Sequence, residues 1–321
     1  MNSITNFLNL ITDNIQIFII FLLLLNLFIM YSMNRRLPSA YRIAIIGFPQ
    51  SGKSFLITAI FNDLFAGKIP AYKIVPRGSE AIERINNNIE RLETSKAIGP
   101  TKDQEVFAYR TDLFRKSYLF QRKWKAELGD FPGEDSEKFF KEYEYWLHKT
   151  PYFNWAISSD AYIFVIDLAD YFIADEPKEF IHRMSSSFRA AWQHLNNYYI
   201  SGNQNLQRTP VSLVFTKSDL IIRYPDLIQD FIKSNLKDRK NFIELIKRTG
   251  INGFDRLDFC DDDNPQIEHQ LFYDIEKEFS GIIEYFHIQT KKLRVQFVSA
   301  VTTTSEGSLG ISSLLSHILP R

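Results

Sequence analysis

Four short segments of this chain carry residue types and spacings that can do chemistry on a phosphate-bearing ligand. The first is Gly47-Phe48-Pro49-Gln50-Ser51-Gly52-Lys53-Ser54, which fits GxxxxGK[ST]. Gly47 and Gly52 let backbone N–H groups turn inward around an anion without Cβ clashes, so residues 47–54 form a cradle. Lys53 sets a positive charge against the β- and γ-phosphates, where charge changes during transfer. Ser54 offers a hydroxyl to Mg²⁺, and a helix opening there aims its positive end at the anion.

The second segment, Asp130-Phe131-Pro132-Gly133, fits DxxG. Asp130 would hold Mg²⁺ through water, and Gly133 would offer its N–H to a γ-phosphate that hydrolysis removes. The third, Thr216-Lys217-Ser218-Asp219, ends a hydrophobic run in the pattern [NT]KxD. A carboxylate at Asp219 accepts both N1–H and the exocyclic amine of guanine, a donor pair adenine lacks. The apolar stem of Lys217 can cover one face of the base. The competing reading is a helix N-cap by Ser218 or Asp219. The fourth, Val298-Ser299-Ala300, ends the last apolar run, where a backbone amide can meet the guanine O6. A threonine must complete the metal shell. Thr101 is the choice, with Thr94 and Thr111 as rivals.

These side chains need strands that end in loops. From Tyr41 onward, strand-length apolar runs at residues 42–47, 105–113, 118–128, 161–167, 211–216 and 294–299 alternate with helical patterns at 54–66, 178–199 and 226–247. Continuous β-branched and aromatic runs suit strands covered on both faces. The alternation predicts an α/β domain, residues 41–321, with helices on both faces of a mostly parallel sheet, the three-layer P-loop architecture. Two stretches, about 68–100 and 220–293, read as largely helical insertions.

Ahead of this domain, residues 15–33 run nineteen positions without a formal charge. As a helix they span about 28 Å, close to the roughly 30 Å hydrocarbon core. The expectation is a transmembrane helix contacting the lipid bilayer, preceded by a short extracytoplasmic tail, 1–14, and followed by a linker, 34–40. A cleaved signal would want basic residues at its start. Residues 1–14 have none, whereas Arg35 and Arg36 lie on the far side. Positive charge favours the cytoplasmic side, so the N-terminus faces out and the nucleotide domain faces the cytosol.

Composition excludes other classes. Lys+Arg and Asp+Glu each number 38, so no long-range field recommends nucleic acid as a partner. One cysteine, Cys260, cannot form an internal disulfide. The six histidines show no zinc-ligand spacing. The acidic stretch 255–263 lacks the Gly and terminal Glu of a calcium loop. Aromatic residues 139–155, after DxxG, suit either an effector-binding face or core packing.

The segments in this order resemble the TRAFAC class of P-loop GTPases, over residues 42 to about 300. The loop around Gln50 is similar to the GxPNxGKS loop of Era- and TrmE-type GTPases, with Gln50 in place of an Asn that, in some of them, helps hold potassium. Asp130-Phe-Pro-Gly-Glu134 resembles the DxPGE of bacterial double-GTPase proteins. A membrane-anchored single domain also looks like the β subunit of the signal-recognition-particle receptor. The resemblance implies GTP/GDP and Mg²⁺ as ligands, a role for K⁺, a cytoplasmic switch read by an effector protein, and GTP hydrolysis by Lys53, Thr101 and Glu134. Glu134 stands where Ras-like proteins place a water-orienting Gln. Slow hydrolysis, or a GTP-loaded scaffold with negligible hydrolysis, follows from that departure.

Overall fold

A computed structural model of the chain describes residues 15, 19–28, 40–94, 98, 107–116, 121–130, 155–201, 206–251, 257–258, 265–304 and 307–320. The chain divides into two compact units, 1–39 and 40–321. In the first, Ile15 and residues 19–28 are helical with exposed side chains. No helix among the described residues is long and apolar enough to cross a membrane. The rest of the span 15–33 lies outside the described residues.

The second unit is built on seven strands, ordered β2-β3-β4-β1-β5-β6-β8. β1 (Tyr41–Gly47) leads through the glycine-rich loop into α1 (Lys53–Phe65). Then come β2 (Tyr72–Pro76), α2 (Ser79–Glu93), β3 (Phe107–Lys116) and β4 (Gln121–Asp130). β5 (Ala161–Asp167) is followed by α3 (Leu168–Ile173) and α4 (Pro177–Ser201). β6 (Val211–Thr216) leads into α5 (Asp219–Arg223), α6 (Pro225–Ile232), α7 (Arg239–Ile246) and the short β7 (Leu257–Asp258). The chain continues through α8 (Pro265–Glu278), α9 (Ser280–Gln289), β8 (Leu293–Phe297), β9 (Thr302–Thr304), β10 (Gly307–Ser308) and α10 (Ile311–Ile318).

The central pairings β4–β1–β5–β6–β8 are parallel, and β2–β3–β4 are antiparallel. Every residue of β5 and β6 is buried, as strands covered on both faces require. One face packs Ile43 and Ile45 against Leu56, Ile60 and Phe61 of α1 and Ile311 and Leu314 of α10. The other packs Phe164 against Phe188 and Phe286, at ring centroid distances of 5.1 and 4.8 Å. α10 is also tied to the opening strand, since Tyr41 donates its hydroxyl to the Ile318 carbonyl at 2.6 Å.

Three expectations need correction. The stretch 68–100, read as largely helical, contributes β2 to the sheet edge beside α2. Its alternation of buried Tyr72 and Ile74 with exposed Lys73 and Val75 suits a one-sided edge strand. The single helix read over 226–247 is two. Ser234 enters the left-handed region at φ 56°, and the Asp238 carboxylate caps α7 by accepting the Asn241 N–H at 3.1 Å. Finally, the expected strands ended with the run 294–299, whereas residues 302–304 and 307–308 add β9 and β10, which pair with each other, while β9 also pairs with β7.

Candidate phosphate- and base-binding site

At the carboxyl end of β1 the backbone turns through Phe48 and Pro49 to Gln50, at φ 59°, and Gly52, at φ 82°. Gly47 lies where a side chain would crowd its neighbours. A Cβ there would stand 2.8 Å from Ser51 Oγ, 3.0 Å from Val165 Cβ and 3.1 Å from the Val165 carbonyl. Lys53 is 6% exposed, and its ammonium donates to the carbonyls of Gly47 at 2.9 Å and Phe48 at 2.6 Å. The ammonium is thereby folded back over the loop. Ser51 Oγ is buried with no hydrogen-bond partner. A buried orphan hydroxyl, a lysine arched over the loop and the positive end of α1 together fit a phosphate group. Ser54 opens that helix, half-buried.

β6 meets the cradle directly. Thr216 donates its hydroxyl to the Ser51 carbonyl at 2.9 Å, and a Cβ added at Gly52 would stand 3.6 Å from the Thr216 side chain. Thr216 thus braces the cradle from behind. Lys217 follows in the left-handed region at φ 59°. Its ammonium donates to Asp167 Oδ2 at 2.6 Å. Asp167, at the end of β5, also caps α3 by accepting the Ala169 N–H at 2.8 Å.

Asp219 is 4% exposed. Its Oδ1 accepts the Ser299 hydroxyl at 2.9 Å and its Oδ2 the Arg223 Nε at 3.3 Å. Ser218 makes no side-chain cap, donating its hydroxyl to the Phe215 carbonyl instead, at 2.8 Å. Burial pushes the Asp219 carboxyl above the usual carboxylate range, and Ser299 and Arg223 oppose that shift. Ala300, half-buried, packs against the α1 side of the core. The residues of the third and fourth segments therefore stand beside one another.

The remaining sequence candidates divide. Asp130 is the last residue of β4, with its backbone paired to Phe107, and β4 lies alongside β1, so its end stands next to the cradle. Its side chain, and all of Thr101, Gly133 and Glu134, lie outside the described residues. So do most of the aromatic stretch 139–155, though Trp155 itself is in the core. Thr94 ends α2 by donating to the Glu90 carbonyl at 2.8 Å, and Thr111 is buried in mid-strand. Among the described residues no group of three or more His, Cys, Asp or Glu could hold a metal by itself. Sequence reasoning missed Asp167 and Arg223. Asp167 left a signal as an acid between an apolar strand and an apolar helix, an N-cap pattern.

No protein-family model and no curated protein matches the chain. Solved structures resemble it in fold. The signal recognition particle receptor SRb–GTP/SRX complex of Chaetomium thermophilum matches at 12% identity and TM-score 0.36, covering 82% of this chain and 92% of that one. The bacterial selenocysteine-specific elongation factor EF-Sec matches at 15% and 0.34, covering 87% of this chain and 28% of its own. The Arl6 small GTPase of Trypanosoma brucei matches at 14% and 0.28, covering 78% and 99%. At these identities and scores, the site stands on its own geometry.

Proposed function

We propose that this chain is a membrane-anchored guanine-nucleotide-binding protein that binds and hydrolyses GTP with Mg²⁺ as a cytoplasmic switch. One observation carries the reading. Thr216, at the end of β6, bonds the cradle at Ser51, while Asp219, three residues on, is held by Ser299. Base reader and phosphate cradle then stand at the carboxyl ends of β6 and β1, two strands apart in the sheet. Mg²⁺, when bound, neutralises phosphate oxygens; Ser54, Asp130 and Thr101 are the residues to hold it. Lys53 binds the terminal phosphates, Gly133 reports the γ-phosphate, and Glu134 accepts a proton from the attacking water. Gln50 stands where the loops it resembles carry the Asn that in some of them helps hold K⁺. Asp219 selects guanine by accepting two N–H donors, and the Lys217 stem covers the base.

Equilibrium binding to the full chain tests this. GTP binding that excess ATP leaves unchanged and Asp219→Ala abolishes is expected; equal competition by ATP defeats the assignment. Asp219→Asn replaces one acceptor by a donor. It should therefore lose GTP by about 100-fold or more, in line with a site stripped of a buried pairing, and gain xanthosine triphosphate, whose 2-carbonyl accepts. The alternative of a constitutively GTP-loaded scaffold draws on Glu134. Single-turnover phosphate release no faster than background would favour it.

A further inference from the structure

A carboxylate reads two N–H donors only as an anion, since a proton converts one acceptor into a donor. Asp219 is placed where water does little to keep it ionised. Ser299 donates a hydrogen bond to Oδ1 but is neutral. Lys217, two residues earlier, commits its ammonium to Asp167 at 2.6 Å. Arg223, one turn along α5, presents its guanidinium to Oδ2 at 3.3 Å, with side-chain exposures of 15% for Arg223 and 6% for Asp219. Among the described residues, the charged group facing this carboxylate is therefore Arg223, and the low local exposure makes its field strong.

We propose that Arg223 is a positioning residue for base recognition, the fixed cation that holds Asp219 as an anion. The proposal rests on the guanine reading above. A guanidinium stays charged throughout the accessible pH range, so it confers a selectivity insensitive to pH. Burial lifts the Asp219 carboxyl; without the arginine, the uncharged Ser299 hydroxyl and the residue's own backbone N–H are left to oppose that lift. Protonation then sets in at a higher pH than in wild type. Each unit of pH below the new titration point costs tenfold in GTP affinity, the linkage of one proton to one binding event. A protonated Asp219 would also donate to adenine N1, so discrimination against ATP falls with it.

The test measures GTP and ATP affinities of the full chain from pH 5.5 to 8. Wild type should keep a constant GTP-to-ATP ratio. Arg223→Gln, which keeps a donor of similar reach without the charge, should approach wild type at pH 8. Its ratio should fall tenfold or more by pH 5.5. Arg223→Lys should restore the flat profile. A packing defect alone lowers both affinities at every pH and leaves the ratio unmoved, so a flat ratio in Arg223→Gln overturns the proposal. If wild type itself does not prefer GTP, the guanine reading fails first, and the two failures are distinguished by wild type alone.

Discussion

Lys217 and the two acids facing it place a charge arrangement two residues from Asp219. Asp167 takes the ammonium at 2.6 Å, and Asp170 follows one turn into α3. Burial and the Asp167 charge push the Asp170 carboxyl up to about 6, against the opposing pull of Lys217 and Arg183. Its folded value lies above its unfolded one, so its contribution to stability is fully present below about pH 4 and is lost as pH rises through 6. Asp170→Asn removes that dependence. The variant should match wild type in acid and exceed it at pH 8 by on the order of 1–3 kcal/mol, read as a higher Tm. Equal pH profiles would contradict it. Asp219 and Ser299 were legible in the sequence because strand ends deliver them to one edge. Asp167 and Arg223 were not, because their roles arise from pairings across 50 residues and along one turn of helix, which no motif spacing encodes.

At the scale of elements, the cradle depends on how closely β1 and β5 approach. Gly47 pairs with Val165, whose carbonyl would be 3.1 Å from a Cβ at position 47. Gly47→Ala should lower stability by roughly 1–3 kcal/mol, as overpacking does, and should abolish nucleotide binding, because the loop shifts to make room. Full-strength binding by a folded Gly47→Ala chain would refute this. The central strands were legible for a related reason: burial on both faces leaves uninterrupted apolar runs, and β5 and β6 run over the expected residues. β2 was not, since an edge strand with one wet face resembles the amphipathic stretch around it. The break between α6 and α7 was hidden because helical periodicity continues on both sides of it, and Asp238 reads equally as a surface residue until its cap to Asn241 is in view.

Across the whole molecule, the segment after Ser299 is bound back to α1, near the end of that helix away from the glycine-rich loop. Asp63, near the end of α1, is 1% exposed and accepts the Ser308 N–H at 2.7 Å and its hydroxyl at 3.1 Å. β9 meanwhile pairs with β7 from the insertion 220–293. Asp63→Ala leaves a buried N–H unpaired, at a cost of about 1–3 kcal/mol. It should also speed guanine-nucleotide release several-fold in stopped flow, because the Ser299 loop loses its hold on α1. An unchanged release rate would count against that coupling. The anchor at residues 15–33 remains a reading of the sequence. In cells the full chain should leave the membrane fraction only with detergent, and Leu23→Arg with Leu25→Arg should release it, each charge costing about 2.5–3.5 kcal/mol at the bilayer centre. Extraction of wild type by alkaline carbonate would refute it.

The bond from Tyr41 to Ile318, and the packing of α10 against α1, also set a schedule for biosynthesis. α10 follows every other described element, so α1 and the glycine-rich loop lack one wall of their core until residues 311–318 have emerged from the ribosome. If residues 15–33 anchor the chain as proposed, that span would be exposed to lipid long before the cradle could close on a ligand. On that reading the cradle would be filled only after the chain had reached the bilayer.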